Sequence, residues 1–227
     1  MAGISLTACQ SSQDKARAIQ ARAAAAAPKP LVVNHPDKDV KVGTTTLLHD
    51  QNGNAIVVRL TNQSDRTLVS VPILVRIRNG KQMVYENDTA GLDFALNHVA
   101  MLKPHQTFYW VNDQVTAQGK TAKVTVGQPE GKPPSGSVPR FTVSPPKAGS
   151  DVSGPKVSGT VTLNSNVDQQ HLILFAVARR GGRIVAAGRG QIKALKHGAK
   201  PAPYVIYFIG NPTGAEVTVQ APPTTLK

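Results

Sequence analysis

The strongest constraint on the fold of this chain is a long pattern that occurs twice. RLTNQSDRTLVSVPILVRIRNGKQMV (59–84) and TVTLNSNVDQQHLILFAVARRGGRIV (160–185) align at a constant offset of 101 residues. At that offset Thr61 meets Thr162, Ser64 meets Ser165, Arg78 meets Arg179 and Gly80 meets Gly181. The apolar series Val71, Ile73, Val75, Ile77 meets Leu172, Leu174, Ala176, Ala178. Two more segments follow in the same order in both copies: TFYWVN (107–112) is matched by YVIYFIG (204–210), and KVTV (123–126) by EVTV (216–219). The shared order of three matches points to an internal duplication.

Each copy reads as strands. Residues 69–77 alternate apolar and polar with a period of two, which puts one face of a strand in a core. Residues 171–178 are apolar almost without interruption, as expected of a strand buried on both faces. Asn79-Gly80 and Gly181-Gly182 separate such runs and permit the positive φ of tight hairpins, and Gln51-Asn52-Gly53-Asn54 marks another turn. After residue 30 only 90–101, AGLDFALNHVAM, is compatible with a short helical turn. The expected fold is all-β. Two tandem immunoglobulin-like β-sandwiches span 38–126 and 140–227, and follow a disordered or weakly helical N-terminal tether over 1–37. GQPEGKPPSGSVP (127–139), rich in Gly, Pro and Ser, reads as the linker between them.

Within the tether, QDKARAIQARAAAAA (13–27) is Ala-rich, with Asp14 able to cap it and Pro28 and Pro30 ending it. Its length is marginal for an isolated helix. Ahead of it stands the only cysteine of the chain. Leu6-Thr7-Ala8-Cys9 resembles the lipobox of bacterial lipoproteins, with small residues before the cysteine and polar Gln10-Ser11-Ser12-Gln13 after it. The resemblance implies cleavage before Cys9 and lipid on its thiol. It would anchor the chain at the extracytoplasmic face of a cell membrane. The basic and apolar leader that such a signal requires is expected upstream of Met1. The alternative is a chance Leu-Thr-Ala-Cys in a cytoplasmic tail. No apolar run in the sequence is long enough for a transmembrane helix.

The order within each copy is a strand, an Asn/Ser/Asp turn (Asn62-Gln63-Ser64-Asp65; Asn164-Ser165-Asn166), an apolar strand, a Gly turn and a short apolar strand. This order resembles the FxLYD-type domains, small sandwiches that are often tandem in exported or membrane-anchored bacterial proteins. The resemblance covers roughly residues 40–226, with LVRIRNG and LFAVARRGG in place of the aromatic-Leu-Tyr-Asp run. It implies no catalytic residues.

Chemistry-bearing patterns are thin. One cysteine rules out an internal disulfide framework and multi-cysteine metal or redox sites. The six histidines show no i, i+4 metalloprotease pair. No G-x-S-x-G and no P-loop occurs, and Gly188-Arg189-Gly190 does not extend to a dinucleotide fingerprint. Asn87, Asp88 and Asp93 lack EF-hand spacing and read as turn residues. The expectation is therefore a non-enzyme with no cofactor, no metal and no small-molecule substrate.

Charge is the remaining signal. The chain carries 26 Lys and Arg against 13 Asp and Glu, and residues 138–227 hold eleven basic against three acidic residues. Arg179, Arg180 and Arg183 on one hairpin, with Arg189 on its neighbour, could present guanidinium forks to an anion or partner. The plainer reading is a solvated hairpin that protects a sheet edge. The favoured function is a cell-envelope lipoprotein that docks a protein partner or an anionic polymer. The rival is a cytoplasmic nucleic-acid binder, which is disfavoured because aromatics make up only 4% of residues and leave few stacking platforms.

Overall fold

Wherever the sequence offers a tight turn between apolar runs, the chain reverses into a hairpin. The computed structural model describes residues 29–226, so the lipobox, Cys9 and the Ala-rich segment lie outside the described residues. Seven strands form the first half: β1 (Val40–Asp50), β2 (Gly53–Asn62), β3 (Leu68–Asn79), β4 (Gln82–Glu86), β5 (His98–Leu102), β6 (Thr107–Val115) and β7 (Thr121–Val126). Eight form the second: β8 (Phe141–Val143), β9 (Lys147–Asp151), β10 (Gly154–Leu163), β11 (Gln169–Arg180), β12 (Arg183–Leu195), β13 (Ala202–Tyr207), β14 (Ile209–Gly210) and β15 (Glu216–Gln220). All pairings are antiparallel. The fold is all-β, built as β-sandwiches.

In the first sandwich, β1-β2-β6 faces a sheet in which β3 is flanked by β7 on one side and by β4 and β5 in succession on the other. In the second, β10 lies between β13 and the β8/β9 pair, and the facing sheet runs β14-β12-β11-β15. The offset of the sequence repeat is visible in the hairpins. Asp50 pairs with Gly53 and Asp151 with Gly154; Asn79 pairs with Gln82 and Arg180 with Arg183. Gly80, Gly181 and Gly182 have φ of 62°, 55° and 76°, as the tight turns demand.

Both copies also share a left-handed residue that the sequence does not announce. Ser70 and His171, equivalent at the same offset, have φ of 52° and 49° and drop out of the pairing of β3 with β5 and of β11 with β12, with the register the same on either side. One detail of the repeat is corrected. Arg78 pairs with Thr121 and Arg179 with Glu216, so EVTV is equivalent to the segment starting at Thr121, not to KVTV at Lys123. The slip is two residues, which leaves every side chain on the same face.

The copies differ between β4 and β5. β12 runs unbroken from Arg183 to Leu195, whereas the first sandwich interrupts the equivalent strand with an excursion over 87–97. The short helical turn expected there is a 3-10 turn, Phe94–Leu96, capped by Asp93, whose Oδ1 accepts from the Ala95 N–H at 2.9 Å. The gap left beside β3 is filled by a side chain. Buried Asn87 accepts from the Val75 N–H at 2.6 Å and donates to the carbonyls of Ile73 and Leu96, each at 2.9 Å. Its amide therefore stands in for the missing strand, which keeps buried backbone groups paired.

The two sandwiches are fused. Leu172, Leu174, Ala176 and Ala178 point into the core of the second sandwich. The alternate residues of the same strand, Phe175 and Val177, with Ile173 beside them, pack into the core cluster of the first, together with Ala187 of β12. That is why 171–178 is apolar on both faces. β6 is an edge strand, and the second sandwich covers it. Gln220 receives the Tyr109 N–H at 2.9 Å and donates to the Thr107 carbonyl at 3.3 Å, so the buried edge is not left unpaired. The start of the expected linker is also pinned: the N–H groups of Gly127, Glu130 and Gly131 donate to the carbonyls of Pro72, Ser70 and Val69 along β3.

Candidate functional site

The seam between the sandwiches carries polar contacts of its own. At one point along it Asp113 of β6 meets Arg189 of β12. The carboxylate accepts from the Arg189 backbone N–H at 2.9 Å and from Nε at 2.8 Å. The two side chains are only 18% and 9% exposed, so this is a clamp withdrawn from solvent. Nearby, Asp50 in the β1–β2 turn accepts from the Gly210 N–H at 2.7 Å.

This placement breaks up the expected four-arginine docking face. Arg189 is not available to a partner, because it is spent on Asp113. Arg180 donates to the carbonyls of Asn211 and Thr213 and so holds the loop before β15. Only Arg179 and Arg183 remain at an open surface, and the structure joins them to a third guanidinium. A cleft of about 350 Å³ at the mouth of the seam is lined by Arg59, Arg179 and Arg183, with Thr44, Thr46, Tyr109, Gly182 and Ile184.

Each sandwich supplies part of this cleft. Arg59 projects from β2, with its Cβ and Cδ lying over Gly43. β1 carries a register break between Val42 and Thr45 at the place where Thr44 and Thr46 enter the lining. Arg179 and Arg183 lie near the end of the β11–β12 hairpin, Arg183 directly after its two-glycine turn and Arg179 opposite Ile184. The Arg179 guanidinium lies 5.7 Å from the centre of the Tyr109 ring, an interaction across the seam. Glu216 approaches Arg179 at 3.6 Å from a side chain that is 76% exposed, which leaves the pair weak. Arg179 Nε is buried and has no hydrogen-bond partner among the described residues. Neither the Arg59 nor the Arg183 guanidinium is held by a hydrogen bond or ion pair among them.

A second cavity, about 290 Å³, opens elsewhere on the seam between the 87–97 excursion and β11. Phe94 stacks on His98 at its rim, with ring centres 4.4 Å apart. Burial lowers the His98 pKa, opposed by the Glu130 carboxylate 3.4 Å away. Two other histidines do turn and surface work: His105 meets Asp65 at 2.8 Å and His49 meets Asn54 at 2.8 Å, both exposed. Gly188 of the Gly-Arg-Gly run is a packing glycine, since a Cβ there would collide with the Tyr207 carbonyl oxygen of β13.

No family model matches the chain, and no curated protein or solved structure matches it. The site therefore rests on its geometry alone. Sequence reading missed Arg59, Tyr109, Thr44 and Thr46. The available signal was Arg59 itself, the one charge within AIVVRL.

Proposed function

We propose that this chain is a non-enzymatic binding module of the cell envelope, tethered at the extracytoplasmic face of the membrane by lipid on Cys9. It docks a protein partner or an anionic envelope polymer at the mouth of the seam. The observation that carries the docking role is the meeting of Arg59 with Arg179 and Arg183 across two sandwiches, in a cleft whose lining contains no carboxylate. Solvated arginines scattered on a surface need no explanation. Three that converge from separate modules, one with a buried and unpaired Nε, do.

The tether follows from Leu6-Thr7-Ala8-Cys9 and the polar residues behind it. A single acyl chain anchors only marginally, so stable attachment requires more than one chain, and the +13 charge adds attraction to an anionic leaflet. The mass of the Cys9-bearing peptide, recovered from membranes of the native host, tests the tether. The expected peptide begins at Cys9 and is heavier by its acyl chains. An unmodified Cys9 thiol in a soluble chain that starts upstream of it contradicts the proposal.

A further inference from the structure

The geometry points to a phosphodiester-linked polyanion without bases as the occupant of the Arg59–Arg179–Arg183 cleft. This inference rests on reading that cleft as the docking face, and it names the chemistry that the face selects.

Phosphodiester chemistry fits the lining better than isolated carboxylates do. A guanidinium offers a planar fork of N–H donors to two oxygens of one phosphate, and threonine hydroxyls add single donors of the kind that phosphate oxygens accept. Three forks from three strands, β2, β11 and β12, with Thr44 and Thr46 in the same lining, are more than one carboxylate can use. They match a chain that presents phosphates at successive positions. Arg179 Nε is buried without a partner, so the terminal nitrogens of this guanidinium are the ones left to meet a phosphate.

The same geometry argues against a nucleic acid. Binding of single strands draws on aromatic faces on which bases stack. Tyr109 is the only aromatic residue in the lining, and the Arg179 guanidinium already covers its ring at 5.7 Å. The cleft can grip phosphates but offers bases no platform. Its rigidity has the same origin as its charge. Arg179 lies on the strand whose Phe175 and Val177 enter the first sandwich, so its distance from Arg59 is set by the fused core and not by a hinge.

The test uses the full chain at physiological salt, in detergent for titration with poly(glycerol phosphate), oligo(dT) and poly-glutamate, and freed of detergent for titration with vesicles containing phosphatidylglycerol. Poly(glycerol phosphate) is expected to bind most tightly. The triple variant Arg59→Ala, Arg179→Ala, Arg183→Ala is expected to weaken that binding by at least about tenfold. A charge-matched control, Lys193→Ala, Lys196→Ala, Lys200→Ala, removes three exposed cations of the second sandwich and is expected to change it less than about twofold. Arg179→Lys guards against misfolding: it keeps the charge, removes the fork and is expected to weaken binding with an unaltered melting temperature.

Equal losses in the two triple variants would overturn the inference and the docking face together, since binding would then follow bulk charge. So would the absence of binding. Cleft-dependent binding of poly-glutamate, oligo(dT) or vesicles as tight as that of poly(glycerol phosphate) would overturn the phosphodiester inference and leave the docking face standing. The lipid on Cys9 is read separately by mass.

Discussion

Phe175→Ala will lower the stability of the whole chain by about 4 kcal/mol, the usual cost of emptying a buried phenylalanine site. Phe175 belongs by sequence to the second sandwich, yet it is 2% exposed within the core cluster of the first, where its ring meets Phe108 edge-on at 5.1 Å. Removing it opens a void at the seam that neither sandwich can close, because Val177 and Ala187 beside it are held in the strands of a sheet. The chain has one tryptophan, Trp110, fully buried in the first sandwich with its Nε1–H donating to the Ala95 carbonyl at 2.9 Å. Its fluorescence during urea unfolding therefore reports the first sandwich alone. A substitution in the second sandwich is expected to move the Trp110 midpoint. A shift worth less than about 1 kcal/mol would show that the seam is not a packed core.

Asn87→Ala will cost about 3 kcal/mol, and for a different reason. The substitution creates little void. It leaves the Val75 N–H and the Ile73 and Leu96 carbonyls without the partners that the amide supplies, in a region where Asn87 itself is 1% exposed. Water cannot reach those groups without parting β3 from the excursion. The loss is expected as faster amide hydrogen exchange at Val75, with little change at the equivalent Ala176, whose strand β11 pairs with an unbroken β12. Unchanged exchange at Val75, with a cost below about 1 kcal/mol, would mean that the excursion holds itself in place.

These two residues mark how far the sequence could be read. The strands, their hairpins and the offset between the copies were legible because period-two alternation and paired glycines act locally. Asn79-Gly80 and Gly181-Gly182 carry their turn geometry in the residue types themselves. The left-handed backbone at Ser70 and His171 was not legible, since serine gives no sign of a positive φ and histidine, though enriched there, adopts one in only a minority of cases. Asn87 read as a turn residue. Its real task, replacing a strand, depends on three backbone groups brought to it by the fold.

The fusion of the sandwiches was half visible. Unbroken hydrophobicity over 171–178 implied a second buried face, but nothing local said that the first sandwich would bury it. The same gap explains the site. Arg179, Arg180, Arg183 and Arg189 are close in sequence, so they read as one patch. Strand alternation and the seam send Arg189 to Asp113 and Arg180 to the 211–213 loop. Arg59, remote in sequence, reaches Arg179 only because β2 and β11 belong to one body.

Leu174→Ala, followed by Trp110 fluorescence, tests that single-body claim most directly. Leu174 is fully buried in the core of the second sandwich and absent from the cluster that holds Trp110. If the sandwiches unfold together, the Trp110 midpoint falls by the full cost of the void, about 3 kcal/mol. If Trp110 keeps its wild-type midpoint while strand circular dichroism is lost at lower urea, the two sandwiches unfold separately and the account is contradicted.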